Sequence, residues 1–299
     1  MKVTLYAYNL VEKRIRGKEN KDVEFFEKDF VDCIKVLCAK DPIDKKYELD
    51  GTKKVIYLDN FEYDKSKHLL FLNFKSAEFG VARKVINTET LKEEPEKKKG
   101  QKDGDEETTC LLIKFDEDEK SKRATGLLQV NSRGVSLSRI FEYINMRVRA
   151  IHDANEDNIK YAVKYSNVIS SDFLRALEQA GKIKTVKLVI DAEASGASEF
   201  KDFASSEDVS DIFEIMYKPT NAGMGIMKDT VKKFFDNYKK DATAIKRIWI
   251  DSNEADGNPL TFDTEKMKEK IHITVSDTLN SEPDVNELQI EMIREIAAY

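Results

Sequence analysis

Apolar and polar residues alternate from Val3 to Tyr8 in a β-rich run, which predicts a first strand. Residues 11–23 are polar and charged and read as a loop or hairpin tip. The period then changes. Phe26, Phe30, Cys33, Ile34 and Leu37 recur at helical spacing and predict an amphipathic helix. Three short β-branched or aromatic runs follow, Lys54–Leu58, Leu69–Phe74 and Gly80–Ile86, separated by turn-forming residues. They read as an antiparallel meander. Thr108–Phe115 and Ala124–Asn131 add two strands. Leu137, Ile140, Phe141, Ile144, Val148 and Ile151 then mark a helix, with Ser136 as its N-cap.

The second half continues the mixture. Strands are predicted at Ile159–Tyr165, Thr185–Ile190, Phe213–Tyr217, Ile245–Ile250 and Ile271–Val275. Helices are predicted at Ser171–Ala180 and Met224–Lys240, and a last one starts at Ser281 with Asp284 in a capping-box position. Val285, Leu288, Met292, Ile296 and Tyr299 form the apolar stripe of that helix, and their excess suits an isologous dimer contact. Residues 253–259 read as a turn. The fold class is therefore α+β: two mostly antiparallel sheets with packed helices, in two globular parts. The boundary falls at 150–158, where the chain is polar and aperiodic, giving an N-terminal part, 1–150, and a C-terminal part, 151–299. Within the first, residues 91–107 hold a single apolar side chain and are expected to form a disordered charged loop.

Composition narrows the class. The 299 residues are 40% hydrophobic, enough for a substantial core, and no run approaches the ~18 apolar residues a spanning helix needs. The N-terminus has no apolar signal segment, so a cytoplasmic protein is expected. Three cysteines match no disulfide framework or zinc spacing, and the three histidines are too scattered to nominate a metal cluster. No cofactor is expected. The net charge of −6 is unevenly distributed. Residues 120–187 carry +7 and 225–250 carry +4, whereas 188–224 carry −6 and 251–299 carry −8. Such segregation permits local phosphate binding on an acidic chain.

Catalytic signatures are missing. There is no phosphate-binding glycine loop and no nucleophile elbow, and Cys33 and Cys110 sit at core positions. Asp191, Glu193 and Asp251 stand at strand ends and could gather around magnesium in a nuclease, but no lysine follows at the needed spacing. A non-enzymatic protein is expected. The basic residues are the better candidates. Lys228, Lys232 and Lys239 share one edge of the 224–240 helix, and Lys246 and Arg247 follow at the next strand. Arg139, Arg147, Arg149, Lys160 and Lys164 form a second group. Mobile cations on rigid elements suit phosphate tracking, and the lack of a base-reading motif predicts sequence-independent contact with duplex DNA. The alternative is a protein–protein interaction module without DNA contact.

The segment from Lys67 to Val85 resembles the RexA-like family of phage exclusion (abortive infection) proteins, in which an apolar strand is likewise followed by a step like Gly80-Val81-Ala82-Arg83. Tyr6-Ala7-Tyr8 is similar to the family's N-terminus, and Asp251 to Gly257, Met267 and the helix through Met292 are similar to its C-terminal region. The resemblance implies a homodimer with two globular domains that binds DNA without sequence specificity. It also implies signalling to a small membrane effector on sensing phage replication. This chain departs from the family in being more acidic and in its segments 91–107 and 188–224, which have no counterpart.

Overall fold

The computed structural model describes residues 1–14, 26–49, 51–80, 90, 103–118, 121–155, 161–168, 183–191, 212–218, 229–234, 245–253, 259–264, 269–278 and 282–299. The chain is α+β with two sheets, and every residue register given below is antiparallel. Its strands are β1 (Lys2–Arg14), β2 (Tyr47–Glu48), β3 (Lys54–Asp64), β4 (Leu69–Glu78), β5 (Glu106–Phe115), β6 (Arg123–Gln129), β7 (Tyr161–Asn167), β8 (Ile183–Asp191), β9 (Ile212–Tyr217), β10 (Ile245–Asn253), β11 (Pro259–Asp263) and β12 (Lys270–Thr274). Its helices are α1 (Phe26–Cys38), α2 (Pro42–Lys45), α3 (Leu137–Ala154), α4 (229–234) and α5 (Val285–Ile296). The larger sheet runs β12-β1-β6-β5-β4-β3-β2, with β7 also on β1, and the smaller runs β11-β10-β8-β9. Contacts gather into two units. The first comprises Met1–Leu5, Glu12–Val163 and His272–Tyr299, and the second Tyr6–Val11 and Lys164–Ile271.

In the first unit β4 and β5 are buried on both faces. Leu69 to Phe74 and Cys110 to Ile113 are continuous buried runs, so each strand has a packing layer above and below it. One face carries Leu70, Leu72 and Phe74 beside Leu111 and Ile113, as the register dictates. Helices α1 and α3 cover it. Phe26 and Phe30 meet Phe115, and Phe74 stands edge-on to Tyr143. The other face receives α5, whose Gln289 donates to Glu62, the cross-strand neighbour of Phe71.

Two side chains of α3 complete strand edges. The hydroxyl of Tyr143, fully buried, accepts from Leu58 N–H at 3.3 Å and donates to Lys45 carbonyl at 3.0 Å. Asn145 pairs with the backbone of Val163 as a strand would, accepting at 2.8 Å and donating at 3.0 Å. Buried backbone groups require such partners wherever a ladder stops. The β3–β4 hairpin is closed by Asp64, whose carboxylate accepts from Ser66 N–H, Ser66 hydroxyl and Lys67 N–H. Those bonds hold its pKa below the usual carboxylate value.

Several expectations change. β1 runs on to Arg14, so residues 11–14 are strand rather than loop, with Glu12 buried. Ser136 does cap α3 by position, but its side chain makes no capping bond and meets Ser138 instead. Residues 151–154 are the end of α3, not an aperiodic segment. The last helix starts at Val285 with Asp284 as its cap, because the Asp284 carboxylate takes the Glu287 N–H at 3.0 Å. Glu287 in turn accepts from Ser276. The stripe of that helix is consumed inside the unit: Leu288, Met292 and Ile296 are buried, whereas Tyr299 is exposed. Residues 253 and 259, read as the two ends of a turn, belong instead to β10 and to a further strand, β11. The expected strand after Gly80, the helix at 171–180, residues 91–102 of the charged loop and most of the 224–240 helix lie outside the described residues, and Glu106 and Glu107, expected in that loop, open β5 instead.

Candidate nucleic-acid interface

The second unit's sheet has a closed face and an open face, set by its register. Trp249 lies opposite Asp263 on β11 and opposite Lys187 on β8, and Lys187 lies opposite Met216 on β9. Asp263, Trp249, Lys187 and Met216 therefore form one row across four strands. The next row on that face is Arg247, Val189 and Glu214. The opposite face holds Phe262, Ile250, Val186, Ile248 and Leu188, all at most 2% exposed. Period-2 side-chain geometry makes this division unavoidable once the register is set. On the open face Trp249, Lys187, Arg247 and Val189 are half-buried and Glu214 and Met216 are exposed.

Two cations approach the Trp249 ring. The Lys187 ammonium lies 4.5 Å from the ring centroid and the Arg247 guanidinium carbon 5.9 Å. Both are within cation–π range. The indole N–H is buried and meets no acceptor among the described residues. Arg247 is also forked onto Asp263, with Nε donating to Oδ1 at 2.9 Å and Nη2 to Oδ2 at 2.5 Å. Asp263 is 6% exposed at its side chain and Arg247 32%. The fork neutralises Arg247, while Lys187 makes no ion pair among the described residues. The arrangement offers an aromatic ring on an antiparallel sheet with a cation above it. Such a surface suits stacking of an unpaired base and contact with its phosphate.

The basic residues nominated from sequence separate into groups. Lys232 is exposed on α4, where Phe234 stacks against Tyr217 of β9 at 5.0 Å. Lys164 is exposed on β7. Lys246 lies in β10, with its side chain outside the described residues, as are Lys160, Lys228 and Lys239 entirely. On α3, Arg139 pairs with Glu142 at 2.6 Å, and Arg147 donates to the carbonyls of Lys46 and Lys45 while lying over Tyr143. Those two arginines are engaged in holding their own unit, and Arg149 is exposed. Of the nuclease carboxylates, Asp251 accepts from Thr261, Glu193 lies outside the described residues and so does the side chain of Asp191. Sequence reasoning missed Trp249 and Lys187 as a pair. Their partnership depends on cross-strand register, which the chain order alone does not give.

A second polar constellation lies in the first unit. A cavity of about 350 Å³ is floored by Glu27, which accepts from Tyr63 hydroxyl at 2.8 Å and contacts His68 Nδ1 at 2.8 Å. Burial, followed by the hydrogen bond to Glu27, pushes the Tyr63 phenol well up. His68 has a φ of 55°, an uncommon conformation for a non-glycine residue, which brings its ring to Glu27. Among the described residues the charged lining holds four Lys or Arg and four Asp or Glu.

No family model matches the chain, and no curated protein matches it.

Proposed function

We propose that the protein binds DNA without sequence specificity through the open sheet face of its second unit, as the non-enzymatic sensor of a phage exclusion system. The observation that carries the binding is Trp249 held on that face with the Lys187 ammonium 4.5 Å from its ring. The resemblance to RexA-like proteins supplies the biological setting, in which bound DNA is reported to a small membrane effector. In this reading Trp249 stacks on an unpaired base, while the neighbouring Lys187 meets phosphate. Single-stranded DNA is then preferred over duplex, because a paired base shows the indole no open face. Fluorescence anisotropy with labelled single strands and duplexes of unrelated sequence tests the reading. Expected are tighter binding to the single strands, equal affinity across sequences and a linear salt dependence of about 0.7 per phosphate contact. Absence of binding to either form at low salt would refute it.

A second reading rests on β9. It is the edge of its sheet, and Ile215, Met216 and Tyr217 are 39%, 51% and 37% exposed. An apolar edge strand is a template for pairing with another chain. This favours a protein-interaction role, including the homodimer expected from the family resemblance. A salt-independent dimer lost on Met216→Lys would support it.

A further inference from the structure

Three donors of different chemistry, two from α1 and one from α3, meet inside the first unit. Asp29 and Cys33 stand one turn apart on α1, and His152 reaches them from the end of α3. His152 Nε2 lies 3.1 Å from Asp29 Oδ2 and 3.6 Å from Cys33 Sγ, and the three ligand atoms are all within 4.8 Å of one another. The side chain of His152 is 4% exposed and that of Asp29 21%. Tyr161 of β7 donates to the same Asp29 oxygen at 2.8 Å, and its ring stands edge-on to those of Phe26 and His152.

The arrangement is not that of a nucleophile with its base. In a Cys–His–Asp relay the carboxylate and the thiol address opposite ring nitrogens. Here both approach Nε2. That nitrogen carries one hydrogen or one lone pair, so it cannot serve both partners well by itself. A cation at the point where they converge would serve all three.

We propose that Asp29 Oδ2, Cys33 Sγ and His152 Nε2 bind zinc(II), with water in the fourth position. Bond lengths of ~2.3 Å to sulfur and ~2.0–2.1 Å to nitrogen or oxygen at tetrahedral angles place N and S ~3.5 Å apart and N and O ~3.3 Å apart. The observed 3.6 and 3.1 Å need little adjustment. The spacing of Asp29 and Cys33 puts two ligands on one face of one helix, as in helical zinc motifs. A thiolate and an imidazole favour zinc over magnesium or calcium. Charge balances too: a carboxylate, a thiolate and a neutral imidazole around a dication sum to zero, which suits a buried position. Tyr161 then orients the ligating carboxylate from outside the coordination sphere. The ion ties α1 to α3 and, through Tyr161, to β7. This inference is independent of the DNA reading.

The test begins with the full-length parent expressed in zinc-supplemented medium and dialysed, with metal counted by mass spectrometry. About one zinc per chain is expected. Cobalt substitution should give the intense visible bands of a tetrahedral site and a thiolate-to-cobalt charge-transfer band. Cys33→Ser should abolish the charge-transfer band, and His152→Gln should lose the metal. Cys38→Ser and Cys110→Ser should retain both. If Cys33→Ser fails to fold, the parent's own zinc content and cobalt spectrum still decide. Folded parent with no zinc above background and no charge-transfer band would show a hydrogen-bonded knot only. A band that survives Cys33→Ser and disappears with Cys38→Ser or Cys110→Ser would place any metal elsewhere. Either result overturns the proposal.

Discussion

Replacing Arg247 by Met would leave an apolar stem near Trp249 and remove the fork onto Asp263. Asp263 would keep a carboxylate that is 6% exposed, now without its two guanidinium donors. Removing one partner of a buried pair costs about 3–5 kcal/mol, because the remaining charge is stranded. Arg247 is 32% exposed, so water already screens one end of this pair. A loss of roughly 2–3 kcal/mol is the reasonable expectation. The second unit has about 110 residues, and a domain of that size loses ~4 °C of melting temperature per kcal/mol. Arg247→Met should therefore lower the unit's melting temperature by roughly 8–12 °C, followed by circular dichroism and by tryptophan emission. Adding Asp263→Leu removes the buried carboxylate and should restore part of the loss. The DNA salt slope of Arg247→Met should change by less than the ~0.7 expected of one phosphate contact, since Asp263 already neutralises the guanidinium. A melting temperature within ~2 °C of the parent, or a double variant no more stable than the single, would show that the fork does not hold this sheet.

Tyr143→Phe keeps the ring against Phe74 and strips the hydroxyl from Leu58 N–H and Lys45 carbonyl. It should cost about 1–3 kcal/mol, read by urea denaturation, with faster hydrogen exchange at the Leu58 amide; an unchanged midpoint would contradict the pairing. Burial pushes the Cys110 thiol up to about 12 from 9.0. The folded state thus holds this proton more tightly than the unfolded state, so the contribution is full below pH 9 and falls as pH rises toward 12. Lys75, raised by its hydrogen bond to Glu106, acts with the same sign above its ordinary value. Urea midpoints should therefore fall between pH 8 and pH 10, by roughly 1–1.5 kcal/mol from Cys110, and Cys110→Val should lose that increment. Parallel pH profiles for parent and variant would sink it.

What was legible in the chain was local. Phe26, Phe30, Ile34 and Leu37 mark α1 by spacing alone, and the runs at 54–58, 69–74 and 108–115 mark the central strands. The antiparallel β3–β4 and β5–β6 pairings follow from short turn-rich connections, whereas the long segment between Glu78 and Glu106 leaves the β4–β5 pairing unset by loop length. The failures occurred where a distant partner decides. Residues 11–14 look polar, yet β1 continues because Glu12 N–H finds the Lys122 carbonyl across the sheet. Asn258-Pro259 reads as a turn and hides β11, whose alternation is short and whose Phe262 is buried only through pairing with β10. Ser281 and Asp284 both satisfy cap chemistry, and the choice depends on Ser276 meeting Glu287. The same holds for function. The lysine-rich helix and the α3 arginines stand out in the sequence, but Arg139 and Arg147 find Glu142 and the Lys45 and Lys46 carbonyls. Trp249 with Lys187, and Asp29 with Cys33 and His152, become visible only after register and packing are known.

Trp249 is the sole tryptophan of the chain, so its emission reports the proposed stacking site without mutation. The most direct measurement is a fluorescence titration at low salt with oligothymidine and with an abasic sugar–phosphate strand of the same length. Oligothymidine should quench the emission strongly, and the abasic strand should bind with a Kd weaker by the ~1–3 kcal/mol of one stacked base and leave the emission nearly unchanged. Equal affinity for both strands with no change in emission would contradict the proposed stacking, because phosphate would then be bound away from Trp249.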